Sequence, residues 1–235
     1  MLTEKVKQWR HAFKLDPNKV LSDLALQMIG HSGTDVLIVG GTDGITFENT
    51  WSLLKRIRKY SIPCVQEIST DSAVVPGFDG YLIPSVCNTE QAQWIHGAHL
   101  KAIKKYGDFI PWQQVCMEGY VVLNSDAKVA RLTGAQTTLQ RADLVAYARL
   151  IEHLYRFPLM YIEYSGTFGN IQMVQAAKKE LKNTRLIYGG GITTEDQART
   201  MAEWADTIVV GNLIYTNVQK ALQTVGWVKE TTVQR

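Results

Sequence analysis

Along the chain, short runs of consecutive apolar residues alternate with longer stretches of helical period. Asp35-Val36-Leu37-Ile38-Val39-Gly40-Gly41 is apolar through its middle and closed by glycines. That is the pattern of a parallel strand covered on both faces. The same reading predicts strands at residues 12–15, 63–68, 81–86, 115–124, 159–165, 185–191 and 207–210. Helical spacing predicts helices at residues 20–29, 48–60, 89–106, 141–155, 171–181, 194–204 and from 213 to about 225. Residues 125–140 read as a loop long enough to shape a site.

Eight strands with mostly helical crossovers predict an α/β fold closed into a (β/α)8 TIM barrel, one domain over residues 1–235. An open doubly wound sheet would need a glycine fingerprint after its first strand. Here that strand ends in Asp16-Pro17. Strands 63–68 and 81–86 are separated by a segment containing Ser69-Thr70-Asp71 and Val75-Pro76-Gly77. It is too short for a full helical crossover, so the third helix is predicted missing or reduced to a turn.

Composition changes this picture little. The 46% hydrophobic and 20% charged residues suit a globular chain with a sizeable core. The net charge of +3 is spread over many helices, which argues against a nucleic-acid partner and leaves room for anionic ligands. Cys64, Cys87 and Cys116 are odd in number and far apart, as in a reducing compartment, and read as small core residues. Residues 1–10 are too charged for a signal peptide, and no apolar run approaches the roughly 20 residues of a membrane span. A cytoplasmic protein is expected, with transient contact at a membrane surface left open.

Candidate chemistry concentrates at strand ends. In Tyr161-Ile162-Glu163-Tyr164-Ser165-Gly166, alternation places Tyr161, Glu163 and Ser165 on one face and Met160, Ile162 and Tyr164 on the other. A carboxylate and two hydroxyls then stand where a buried strand would carry Val or Leu. Either Glu163 belongs to a stabilising hydrogen-bond network, or it is a catalytic or ligand-holding group. Gly189-Gly190-Gly191 with Thr193 and Thr194, and Gly211-Asn212, end the seventh and eighth strands. There they offer backbone donors to a phosphate, or serve as tight turns. Lys14 and Asp16 share a face at the first strand's end, and Gly40-Gly41-Thr42-Asp43-Gly44 closes the second. Asp16 with a Thr hydroxyl is reasonable partial ligation for Mg²⁺, the alternative being a surface Asp-Pro turn. His96 and His99 lie three apart without a third ligand and read as surface or packing residues, as do Trp94, Trp112, Trp204 and Trp227.

From about Trp9 to Val228 the sequence resembles the geranylgeranylglyceryl/heptaprenylglyceryl phosphate synthase family, nearest to its bacterial branch, PcrB. The resemblance rests on Phe13-Lys14-Leu15-Asp16-Pro17, Gly40-Gly41-Thr42-Asp43-Gly44, Val75-Pro76-Gly77-Phe78-Asp79 and Ile83-Pro84-Ser85-Val86. It continues through residues 161–166, Tyr188-Gly189-Gly190-Gly191-Ile192 and Val210-Gly211-Asn212. It implies a modified (β/α)8 barrel lacking a proper third helix. It also implies Mg²⁺-dependent transfer of a prenyl group from a polyprenyl diphosphate, heptaprenyl being the expected length, to the C3 hydroxyl of sn-glycerol 1-phosphate. By position, Lys14 would contact glycerol phosphate, and Asp16 and Thr42 would hold Mg²⁺. Tyr161, Ile162, Glu163, Tyr164, Ser165, Gly166, Gly191, Gly211 and Asn212 would bind glycerol 1-phosphate. Glu163 is the expected base, placed by Tyr161, and a homodimer is expected. Residues near Tyr81, Tyr106 and Tyr120 are candidates to limit tail length. The rival readings are a phosphosugar isomerase or aldolase, and a non-catalytic phosphate-ligand binding protein.

Overall fold

The computed structural model describes residues 1–234, with eight parallel strands hydrogen-bonded in chain order into a closed barrel. They are β1 (His11–Leu15), β2 (Val36–Val39), β3 (Cys64–Glu67), β4 (Gly80–Val86), β5 (Val115–Val122), β6 (Leu159–Glu163), β7 (Arg185–Gly189) and β8 (Thr207–Val210). Closure comes from β1 beside β8, with His11 opposite Ile208 and Phe13 opposite Val210. The helices are α1 (Leu2–Lys5), α2 (Asp23–Gly30), α3 (Phe47–Ile57), α4 (Ala98–Tyr106) and α5 (Lys128–Thr133). They continue as α6 (Arg141–Arg149), α7 (Ile171–Lys178), α8 (Glu195–Ala202), α9 (Leu213–Thr216) and α10 (Val218–Lys229).

Strand alternation divides the core in two. Ala12, Val36, Ile38, Val65, Leu82 and Ile187 fill the barrel, whereas Phe13, Leu37, Met160, Ile162, Leu186 and Ile208 pack outward under the helices. Leu2, Val6 and Trp9 join the inner set and plug the end opposite the active mouth. Gly80 opens β4 because a Cβ there would lie 2.6 Å from Leu2. The segment between β3 and β4 contains only the three-residue 3-10 turn Asp71–Ala73, so the third barrel helix is absent as expected.

Some boundaries differ from expectation. The predicted loop 125–140 contains α5, whose six residues are too few to show a helical period. The helix predicted from residue 89 opens with a π-helical turn at Gln93–Gly97 before α4, and the one predicted to residue 155 closes with another at Leu150–Tyr155. β5 stops at Val122 and β6 at Glu163, and the last helix divides into α9 and α10 at Asn217. All three cysteines are buried and free.

His11 ties β1 to α10 from a fully buried position. Its Nδ1 lies 2.8 Å from Thr34 Oγ1 and its Nε2 2.9 Å from Thr224 Oγ1. Thr34 donates its hydroxyl proton to the His11 carbonyl and Thr224 donates its own to the Ala221 carbonyl, which fixes both hydroxyl oxygens beside the ring. Burial pushes the imidazole down to about 3, against an upward pull from Asp35. The unfolded chain, with its imidazole near 6.5, therefore binds the extra proton first as pH falls. Stability from this group is complete above about pH 6.5 and is lost on acidification, by up to about 1.4 kcal/mol per pH unit. Urea-unfolding midpoints measured from neutral to mildly acidic pH should show this slope. It should be shallower in His11→Asn, and an equal slope in the variant would contradict the assignment.

Candidate active site

The strand ends enclose a cavity of about 1520 Å³, lined by residues of every strand end except that the gap between β3 and β4 widens it to one side. Lys14, Asp16, Thr42, Tyr161, Glu163, Ser165, Gly166, Gly191, Gly211 and Asn212 all border it. The side chains of Ile162 and Tyr164 do not. They have the opposite parity to Tyr161 and Glu163 and lie in the outer layer, Ile162 fully buried. These side chains pack β6 onto its helices, so only their backbone can face the mouth.

Glu163 is the centre of the floor. Its Oε2 accepts from the Tyr120 hydroxyl at 2.6 Å, and its Oε1 accepts from the Ser165 N–H at 2.5 Å. Tyr161 stacks on Tyr120 with ring centroids 4.6 Å apart. A Cβ on Gly189 would strike the Tyr161 hydroxyl, so the first glycine of the triplet makes room for this ring. Burial raises the Glu163 carboxyl above its ordinary range. Lys14 and the Tyr120 hydrogen bond pull it back, Glu67 adds to the rise, and the net is upward.

Lys14 projects into the same space, its ammonium 2.6 Å from Glu67 Oε2 and donating to the Tyr120 hydroxyl at 3.5 Å. Burial alone would lower the Lys14 ammonium, but Glu67, Glu163 and Glu118 outweigh it and the net is upward. Gly40 leaves space for this pair, since a Cβ there would lie 3.0 Å from Glu67. Beneath them Glu118 is fully buried, with neither carboxyl oxygen hydrogen-bonded. One ammonium thus serves three buried carboxyl groups. An unpaired carboxylate at such depth costs several kcal/mol, and burial and Glu67 push the Glu118 carboxyl well up, against a downward pull from Lys14.

Glu67 and Glu118 are residues of the cluster that sequence reasoning missed, and Tyr120, expected near the tail, contacts Glu163 as well. The signal was present: Glu118 and Tyr120 alternate along β5 in step with each other, two polar groups on the inward face of a strand that is otherwise apolar there. Tyr120 is therefore a partner of Glu163, whereas Tyr81 and Tyr106 border the outer part of the cavity.

The two rims are joined. The Asp16 N–H donates to the Tyr215 hydroxyl at 2.7 Å, and Lys19, from the turn after β1, donates to Asn212 Oδ1 at 3.0 Å. Lys19 is a cationic group at the phosphate-type rim that the strand pattern did not single out. Gly191, with φ +45°, is packed so closely on Thr167 and Phe168 that no side chain fits. On the other rim a Cβ on Gly41 would lie 2.8 Å from Asp16 Oδ1, so glycine leaves room for that carboxylate. Asp43 does not join them; Lys128 of α5 holds it at 2.6 Å. His99 donates to the Pro84 carbonyl at 3.0 Å, and no cluster of three acidic, Cys or His ligands occurs among the described residues.

The PcrB family model matches residues 4–229. A heptaprenylglyceryl phosphate synthase of Geobacillus sp. (strain WCH70) is 55% identical over 225 residues, covering 96% of this chain and 99% of that protein. Its namesake from Geobacillus kaustophilus (strain HTA426) is 52% identical over 232 residues, covering 99% and 97%. Among solved structures, (S)-3-O-geranylgeranylglyceryl phosphate synthase from Thermoplasma acidophilum, in complex with sn-glycerol-1-phosphate, superposes with a TM-score of 0.85 at 24% identity, covering 98% and 97%. Tryptophan synthase from M. tuberculosis reaches 0.56 at 13% identity, covering 97% and 94%, which is likeness of barrel alone. With a family match across nearly its whole length and relatives more than half identical, the chain belongs to the PcrB family.

Proposed function

We propose that this chain is a prenyltransferase that joins a long polyprenyl group, heptaprenyl by analogy with its relatives, to the C3 hydroxyl of sn-glycerol 1-phosphate, releasing diphosphate. The observation that carries the reading is Glu163, a buried carboxylate held by Tyr120 and Ser165 at the floor between two rims of different chemistry. Glycines 191 and 211, Asn212 and Lys19 suit the phosphate of glycerol 1-phosphate on one rim. Asp16 and Thr42 suit a metal-bound diphosphate on the other. When bound there, Mg²⁺ would stabilise the charge gathering on the departing diphosphate.

Glu163 takes the proton of the C3 hydroxyl while the oxygen bonds to the first carbon of the prenyl group, and that carbon's bond to the diphosphate oxygen breaks. The stacked Tyr161 and Tyr120 form the face along which the allylic carbon approaches. Lys14 places positive charge beside Glu163 and so keeps a buried carboxylate ionised enough to act as a base. The apolar tail leaves through the gap where the third helix is absent, past Tyr81. Mg²⁺, a homodimeric assembly and a cytoplasmic setting belong to the proposal on the family resemblance. No helix among the described residues is long and apolar enough to cross a membrane.

Labelled glycerol phosphate offered with prenyl diphosphates of several lengths tests the reading. Mg²⁺-dependent ether formation and diphosphate release, with preference for the 1-phosphate enantiomer over the 3-phosphate, are expected. Absence of turnover with every donor would reject it. Glu163→Gln should keep glycerol phosphate affinity in titration calorimetry and lose about 10²- to 10⁴-fold in kcat; near-normal turnover would reject the base. Tyr120→Phe removes a hydrogen bond that holds the Glu163 carboxyl down. The acidic limb of its kcat profile should therefore move to higher pH, and an unmoved limb would contradict the role given to Tyr120.

A further inference from the structure

The helices of a barrel normally bury one face on the sheet, yet α4 and the two 3-10 turns after it, Gly107–Phe109 and Trp112–Gln114, bury no residue at all. Leu100, Ile103 and Tyr106 share one helical face by their spacing. Leu100 is 65% exposed, and beyond the helix Phe109 and Trp112 are 84% and 55% exposed. Ile103, Tyr106, Phe109 and Trp112 also border the cavity, so this apolar apron is continuous with the wall along which the donor's tail would lie. Lys101, Lys104 and Lys105 occupy the remaining arc of α4, with Asp108 the one acid of the segment.

We propose that this apron docks on the surface of a bilayer containing anionic lipid, seating the cavity mouth against the membrane. The proposal rests on the reading of the cavity as a polyprenyl diphosphate site. A helix with a lysine-rich arc and an apolar arc, continued by an exposed Phe and Trp, matches the two layers of a lipid interface. The lysines face anionic headgroups, and the aromatic rings enter the boundary between headgroups and chains. The fit also has a direction. The donor is an amphiphile whose long tail lies in the bilayer, and the apron borders the opening through which that tail must pass. A second copy of the chain seated there would cover the same opening.

The test uses the full chain and sedimentation with vesicles of phosphatidylcholine, with or without phosphatidylglycerol. The wild type should sediment with the vesicles containing phosphatidylglycerol and remain in solution with phosphatidylcholine alone. Reversing Lys104→Glu with Lys105→Glu, neither of which lines the cavity, should weaken partitioning by about tenfold or more. Leu100→Ser, also outside the cavity, should weaken it without removing the preference for anionic vesicles. Both variants should keep wild-type turnover on a short, water-soluble prenyl diphosphate. Wild-type protein that ignores anionic vesicles, or variants that bind as tightly as it does, would overturn the proposal. So would variants that change from dimer to monomer in sedimentation equilibrium, which would make the apron a subunit interface. Vesicle binding without turnover on any donor would sink the enzymatic reading instead.

Discussion

The pairing of β1 with β8, Phe13 opposite Val210, sets the end of the first strand beside the end of the last. Lys14 and Asp16 thereby come within reach of the turn at Gly211 and Asn212, and Tyr215 and Lys19 fasten the two across the seam. The rim at Asp16 and the rim at Tyr215, 199 residues apart in the chain, are thus adjacent in space. That adjacency is what an alkyl transfer between two anionic substrates requires, because both reacting atoms must meet over one floor.

The floor itself is an electrostatic compromise. Three carboxyl groups and one ammonium share a buried volume, and burial disfavours every charge in it. Glu67 pairs with Lys14, Glu118 has no hydrogen-bond partner and its carboxyl is pushed well up by burial, and Glu163 is left as the carboxyl with directed donors on both oxygens. Its raised basicity comes from burial, whereas its fixed orientation comes from the Tyr120 and Ser165 hydrogen bonds, the first of which pulls against that rise. Gly40 and Gly189 serve this cluster by omission, leaving room for Glu67 and the Tyr161 hydroxyl.

Much of this fold is legible in the sequence. A parallel strand covered on both faces declares itself as an apolar run ending in glycine, so the strands and their order could be read from β2 outward. The short link between β3 and β4 disclosed the missing helix by length alone. Glu163 stood out because a charged residue interrupts such a run. What escaped was set by distance in space: that Glu67 would meet Lys14, or Tyr120 meet Glu163, depends on register between strands far apart in sequence. The family resemblance implies a continuous block 161–166 at the ligand, while alternation turns the side chains of Ile162 and Tyr164 to the outer layer. Asp43 looked available at a strand end until the short helix α5 supplied Lys128 to it. The plug formed by Leu2, Val6 and Trp9 lacked a pattern because it is a few residues of irregular helix whose partners are the strand bottoms.

The arrangement is tested most directly by a crystal structure containing both sn-glycerol 1-phosphate and an unreactive thio-analogue of a polyprenyl diphosphate. The account places the glycerol phosphate on Gly191, Gly211 and Asn212, the diphosphate by Asp16 and Thr42, and the C3 hydroxyl within hydrogen-bond reach of Glu163. Ligands found in regions that do not face one another across Glu163, or a C3 hydroxyl turned away from that carboxylate, would contradict it.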